Sequence, residues 1–137
     1  MSAPPIALSQ FLYSDLNATT AYLTPFVYDS QSIKQALDNL LNTRKGQRIF
    51  NIDYGTNLES LLLRLFGDDT ALLIRKDVYD AVTQFERRVS VSIGKTIVTP
   101  DFTTGTYNLN MPGTIAGLSP NKFVYSAQLI PPSKLAA

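Results

Sequence analysis

Between Ser30 and Phe66 the chain constrains its own fold most tightly. Ile33, Ala36, Leu37, Leu40 and Leu41 recur at helical spacing, which places them on one stripe and leaves Gln35, Asp38 and Asn39 on the opposite face. That stripe must be buried. Asp29 is the predicted N-cap, Tyr28 and Ile33 sit where a hydrophobic staple forms, and Arg44, Lys45 and Gly46 supply the cations and glycine that favour a C-terminus near Thr43. Beyond the link Ile49-Phe50-Asn51-Ile52-Asp53-Tyr54-Gly55, Thr56-Asn57-Leu58-Glu59 has capping-box spacing. Leu58, Leu61, Leu62 and Leu65 fall on one side of a second helix with Gly67 as its stop. Two short helices joined by an ordered basic turn, Thr43-Arg44-Lys45-Gly46-Gln47-Arg48, are expected.

Asp68, Asp69 and Thr70 offer N-cap oxygens for a third and longest helix. Its buried stripe is Ile74, Val78, Ala81, Val82 and Phe85, and it closes around Glu86-Arg87-Arg88, with Arg87 and Arg88 placed for the last turn's carbonyls. The period then changes to two. Val89, Val91 and Ile93 alternate with polar residues, Thr96-Ile97-Val98-Thr99 continues the β-rich run, and Tyr107, Leu109 and Met111 alternate with Asn108 and Asn110. Pro100-Asp101 and Thr104-Gly105 mark the turn between these strands. Pro112, Gly113, Gly117 and Pro120 make 111–121 read as a long loop before a third strand over 123–130, ended by Pro131-Pro132. The expected fold class is α+β, three helices packed on a small antiparallel three-stranded sheet whose edges must be covered or used.

Residues 1–28 mix Pro, Ser, Thr and Asn with Phe11, Leu12, Tyr13, Leu16, Tyr22, Leu23 and Phe26. They are too aromatic for a simple disordered tail and read as an extended arm lying on its own domain or on a neighbour. The expected division is therefore an arm over 1–28, one domain over 29–130 and a tail over 131–137. A chain of 137 residues suits one core rather than two.

Several functions lose their chemistry here. The chain has no Cys and no His, which removes thiolate nucleophiles, the commonest general base and the usual zinc ligands. No metal or cofactor is expected. A formal net charge of +1 argues against broad capture of nucleic acid or anionic membrane. The N-terminus lacks a signal-peptide pattern, and no window approaches the roughly 20 apolar residues of a membrane span, so a soluble, unsecreted protein is expected. Glycoside hydrolysis can run on two carboxyl groups alone, so Glu59 and Glu86, the only glutamates, are the candidates to weigh. Glu59 fits the capping box, and Glu86 stands beside arginines that favour a charged carboxylate. Asn51-Ile52-Asp53-Tyr54-Gly55 has the look of a calcium loop but lacks the remaining ligands. Arg44, Lys45 and Arg48 can serve as a solvated helix terminus, as a protein contact or, more weakly, as a phosphate grip.

Taken as a set, Leu12-Tyr13-Ser14-Asp15-Leu16, Ser32-Ile33, Thr43-Arg44-Lys45-Gly46-Gln47-Arg48 and Asp53-Tyr54-Gly55 with Leu58 resemble the baseplate wedge subunit of contractile-tailed phages, the sheath initiator family. The related baseplate component of the type VI secretion machine belongs to the same family. The resemblance covers residues 12–98. A second family signature, Glu-Pro-Arg at the end of the long helix, is matched here by Glu86-Arg87-Arg88, with Arg87 in place of the proline that would restrict φ. The resemblance implies a structural, non-enzymatic virion protein of the tail baseplate, assembled in the host cytoplasm in several symmetric copies and similar in fold to part of the sheath subunit. It implies that Glu86 and Arg88, with Arg87 between them, dock on the core bundle of the larger wedge proteins. Thr43, Arg44, Gly46, Arg48, Tyr54 and Gly55 would form the turn signature. Sheet edges offered to strands of the tail sheath protein would start sheath assembly, with tail tube or hub proteins as further neighbours. A cell-wall-degrading, lysozyme-like tail enzyme is the competing reading.

Overall fold

The computed structural model describes residues 14–16, 26–117 and 122–132. Two short antiparallel strands, β1 (Ser14–Leu16) and β2 (Phe26–Tyr28), lead into helix α1 (Asp29–Asn42). The other residues of the expected arm, the Tyr28 side chain of the expected staple, and residues 133–137 of the expected tail lie outside the described set. Asp29 opens α1 with φ +47°, a left-handed conformation that its short polar side chain tolerates. The predicted stripe faces inward, with Ile33, Leu37, Leu40 and Leu41 buried.

Helix α2 (Leu58–Leu62) is one turn long, shorter than the leucine pattern implied. The capping box does not form, because tertiary partners claim both of its members. Thr56 Oγ1 donates to the Leu41 carbonyl at 3.2 Å, while Glu59 accepts from Arg44 at 3.3 Å. The Asn57 N–H donates instead to Asp77 Oδ2, one helix away, at 2.8 Å. Leu65 is 91% exposed rather than in the core. Its neighbour Phe66 packs on Tyr107, with ring centroids 4.7 Å apart, and the Gly67 N–H donates to the Tyr107 hydroxyl.

Helix α3 (Asp68–Phe85) carries the expected stripe into the core through Ile74, Val78, Ala81 and Val82. Its N-cap is Gly67 and receives no side-chain cap, contrary to the expected role of Asp68, Asp69 and Thr70. Thr70 Oγ1 donates back to the Leu65 carbonyl at 2.6 Å, and the two aspartates serve through their charge in the first turn.

Among the described residues the main sheet has four strands in three positions. Strands β3 (Val89–Val91) and β4 (Ile97–Asp101) run end to end along one side of β5 (Thr106–Ile115), and β6 (Lys122–Leu129) pairs along the other. The single strand expected over 89–99 is therefore split. Residues between β3 and β4 loop outward, with the Ser92 carbonyl accepting from Lys95 N, Thr96 N and Thr96 Oγ1. Arg75 of α3 holds the loop by donating Nε and Nη2 to the Ile93 carbonyl. Strand β5 also extends to Ile115, through Pro112 and Gly113, where a loop was expected. Proline fits there because β4 pairs with 106–110 and β3 with 113–115. No described strand on that side pairs with Pro112, so its missing N–H leaves no ladder bond unmade there.

Leu109, Met111 and Ile115 of β5 and Phe123 and Tyr125 of β6 meet the helical stripes in one core. No other described strand pairs with β6. No helix among the described residues is long and apolar enough to cross a membrane.

Gly113 lets β3 approach β5, since a Cβ there would lie 2.7 Å from the Ser90 carbonyl oxygen and 2.9 Å from Val91 Cγ1. Gly113→Ala should lower unfolding free energy by about 1–3 kcal/mol, measured by urea denaturation. Amide exchange should quicken in β3 before β6.

Candidate functional site

The basic turn is held by its own backbone. Thr43 closes α1, its N–H donating to Leu40 O and its hydroxyl to Asn39 O at 2.6 Å. Arg44 and Gln47 exchange bonds, Arg44 N to Gln47 Oε1 and Gln47 N to Arg44 O, each at 3.1 Å. Gly46, at φ +85°, donates its N–H to Ile52 O at 2.7 Å. Beyond the link the chain returns to α1: Thr56 N donates to Thr43 O and Lys45 N to Thr56 O. Gly55 makes that return possible. It adopts φ +123°, and a Cβ would stand 2.5 Å from the Thr43 oxygen, well inside van der Waals contact.

A stack of three side chains joins this turn to the far end of α3. The Arg48 guanidinium lies 3.8 Å from the Tyr54 ring centroid, and Tyr54 meets Phe85 edge to face with centroids 5.1 Å apart. Arg on an aromatic face gains attraction while remaining hydrated. Phe85 is the last residue of α3, and Glu86 follows it. The sequence placed Arg48 and Tyr54 in one turn signature and Phe85 on the stripe of α3, but no spacing rule connects the turn to a residue so far along the chain.

Glu86 is buried, at 7% exposure, and accepts from Arg88 Nε and Nη2, both at 2.6 Å. A two-point, charge-assisted clasp of this kind fixes orientation as well as charge. Arg88 thus directs these two nitrogens to a carboxylate, where the sequence had suggested the carbonyls of the last turn. The Arg88 side chain remains 30% exposed, so the clasp shows solvent its cationic half. Arg87 is exposed beside it. The Arg44–Glu59 pair is more open, with side-chain exposures of 63% and 54%, and contributes little stability.

A second feature is a groove of about 620 Å³ between the first two helices and β6. Leu41, Leu58, Leu62 and Leu129 line it, and Asp38 and Glu59 supply carboxylates. The Tyr125 hydroxyl donates to Asp38 Oδ1 at 2.5 Å, and burial together with that carboxylate pushes the phenol's pKa up. Nothing in the sequence pattern paired these two residues. Among the described residues, no group of three or more His, Cys, Asp or Glu side chains gathers as a metal site.

Two predictions follow from the turn and its brace. Gly55→Ala should destabilise by about 2–4 kcal/mol, strain and clash adding together, whereas Gly46→Ala should lose only about 1 kcal/mol, since nothing lies within 4 Å of its Cβ direction. Urea denaturation separates the two. Burial raises the pKa of Asp77 against the hydrogen bond from Asn57 and the charge of Lys45. A raised folded-state pKa penalises the ionised form above it and vanishes as a penalty below the unfolded value. Asp77→Asn, which keeps an acceptor for Asn57, should therefore raise Tm relative to the parent at pH 7. The gap should close as pH falls through the carboxylate range.

Residues 28–95 match the baseplate wedge protein gp25 family. A search of curated proteins finds no match. Among solved structures, a protein of Geobacter sulfurreducens proposed to be a tail lysozyme is similar with a TM-score of 0.57 at 21% identity, covering 74% of this chain and 92% of that one. A chain of the baseplate complex from the type VI secretion system is similar with a TM-score of 0.59 at 17% identity, covering 72% and 89%. At such identities the structural likeness is one of fold. The family match contains all three helices, the turn with Gly55 seated on Thr43, and the Glu86–Arg88 clasp. Through that segment the chain belongs to the baseplate wedge protein gp25 family.

Proposed function

We propose that this chain, a structural component of a tail baseplate by its family, docks on the larger wedge proteins through Glu86 and Arg88 and starts the tail sheath from its sheet edge. The observation that carries the reading is the clasp itself: a buried carboxylate holding a partly exposed arginine at 2.6 Å, inside the family-matched segment. A fixed arginine with its counter-ion behind it selects a partner and an orientation more than it adds bulk affinity. Arg87, exposed where the family has proline, adds a second cation to that face. In this reading residues 29–130 form the wedge domain, with 1–28 as an arm and 131–137 as a tail.

The sheath-starting part rests on β6. Its outer edge pairs with no described strand and borders the Leu-lined groove, so an incoming extended segment would gain main-chain hydrogen bonds and a place for alternate side chains. The competing reading, a tail enzyme that cuts cell-wall glycan, is prompted by the fold it shares with the protein proposed to be a tail lysozyme. Against it, both oxygens of Glu86 are engaged by Arg88 and Glu59 is paired with Arg44.

Arg88→Ala should destabilise the isolated protein by about 1–3 kcal/mol because it strands the Glu86 carboxylate, and Glu86→Ala by less. Both should remain folded by circular dichroism yet fail to enter wedge complexes. Normal incorporation of both variants would remove the docking role. The chain lacks cysteine, so Ser126→Cys on β6 gives a unique handle. A bulky maleimide there should leave baseplates intact and stop sheath growth, whereas undiminished growth would end the edge proposal. Release of sugar fragments from peptidoglycan, lost in Glu59→Gln or Glu86→Gln, would promote the enzyme reading.

A further inference from the structure

The link between the turn and α2 ends in a tip that contributes nothing to the core. Ile49 is 87% exposed, Phe50 101% and Ile52 64%. Single exposed apolar side chains are ordinary, but three within four residues form a patch that a monomer gains nothing by keeping in water. The tip is not slack. Gly46 N to Ile52 O ties its two sides at 2.7 Å, Tyr54 N to Asn51 O closes the returning side at 3.2 Å, and Gly55 seats its base on Thr43. A loop already ordered loses little conformational freedom when it is inserted into a partner.

Charge narrows what could receive it. The segment 44–53 carries Arg44, Lys45 and Arg48 against the single carboxylate Asp53, and all four residues are exposed; Arg44 is already paired with Glu59, so Lys45 and Arg48 supply the positive charge of the rim. An apolar point inside a cationic collar fits an apolar socket rimmed by carboxylates. The collar is also continuous with the clasp, since Arg48 lies on Tyr54, Tyr54 on Phe85, and Phe85 precedes Glu86.

We propose that Ile49, Phe50 and Ile52 form a plug that inserts into an apolar socket, rimmed by Asp or Glu, on a larger wedge protein, completing the contact that begins at Glu86 and Arg88. The inference rests on the baseplate reading and adds to it a second anchor of different chemistry. Phe50 is the central anchor, Ile49 and Ile52 shield it from water, and Lys45 with Arg48 sets the approach.

The test uses the full-length protein and the purified larger wedge proteins of the same baseplate. Phe50→Ser should keep the parent's circular dichroism and unfolding midpoint while weakening binding about 10- to 100-fold. Lys45→Glu should weaken binding about tenfold and flatten its salt dependence. A benzophenone amino acid in place of Phe50 should cross-link, in assembled wedges, to a site lined by apolar residues and carboxylates. Binding lost in Glu86→Ala but unchanged in Phe50→Ser would overturn the plug and leave the clasp standing. Binding unchanged in both would overturn the wedge reading itself. Three further outcomes would overturn the plug: cross-linking to a second copy of this chain, cross-linking to nucleic acid, or Phe50-dependent sedimentation with phosphatidylserine vesicles.

Discussion

Thr43 and Thr56 lie thirteen positions apart in the chain, and their backbones are bonded at 2.9 Å. That contact organises the molecule, because it returns the chain to the end of α1 after the loop and so sets where α2 and α3 begin. A residue without a Cβ suits the position before Thr56: a Cβ on Gly55 would stand 2.5 Å from the Thr43 oxygen, and the backbone angle is one that side chains disfavour. Once the return is made, Thr56 Oγ1 reaches the Leu41 carbonyl and Asn57 reaches Asp77. Tyr54 is then carried onto Phe85, with Arg48 above it. The turn signature and the clasp at the end of α3 are thus two ends of one assembly.

The sheet shows the same dependence on neighbours. Arg75 reaches from α3 to the Ile93 carbonyl and pins the outward loop between β3 and β4. The edge of β5 is left with a gap opposite Pro112, and Gly113 admits β3 immediately beyond it. One side of β5 is therefore filled by two short strands and the other by β6 alone. A sheet built this way leaves β6, eight residues long, as the edge opposite β3 and β4 among the described strands, and an edge of that kind must be managed or used.

The carboxylates singled out in this domain make bonds within it. Glu86 and Arg88 satisfy each other, Asp38 accepts from Tyr125, and Asp77 accepts from a backbone amide. Each of these carboxylates is committed to a structural bond, a pattern suited to holding a surface in a defined shape. The match to a baseplate wedge family agrees with a structural role in a baseplate, to which a surface held in shape is suited.

The residues alone determined the three helices, the buried stripes of α1 and α3, the change to period two at Val89, the α+β class and the family, because spacing between apolar side chains and short signatures is local information. Cap chemistry and strand limits were not local. Thr56 and Glu59 had the spacing of a capping box, but Leu41 and Arg44 offered better partners once the loop closed. Pro112 and Gly113 looked like loop residues because the gap and the close approach that suit them exist only when β3 and β4 lie end to end. The tertiary structure also decided that Phe50 stands in water while Phe66 packs on Tyr107. Two aromatic residues near the same helix differ there only in what the fold brings against them.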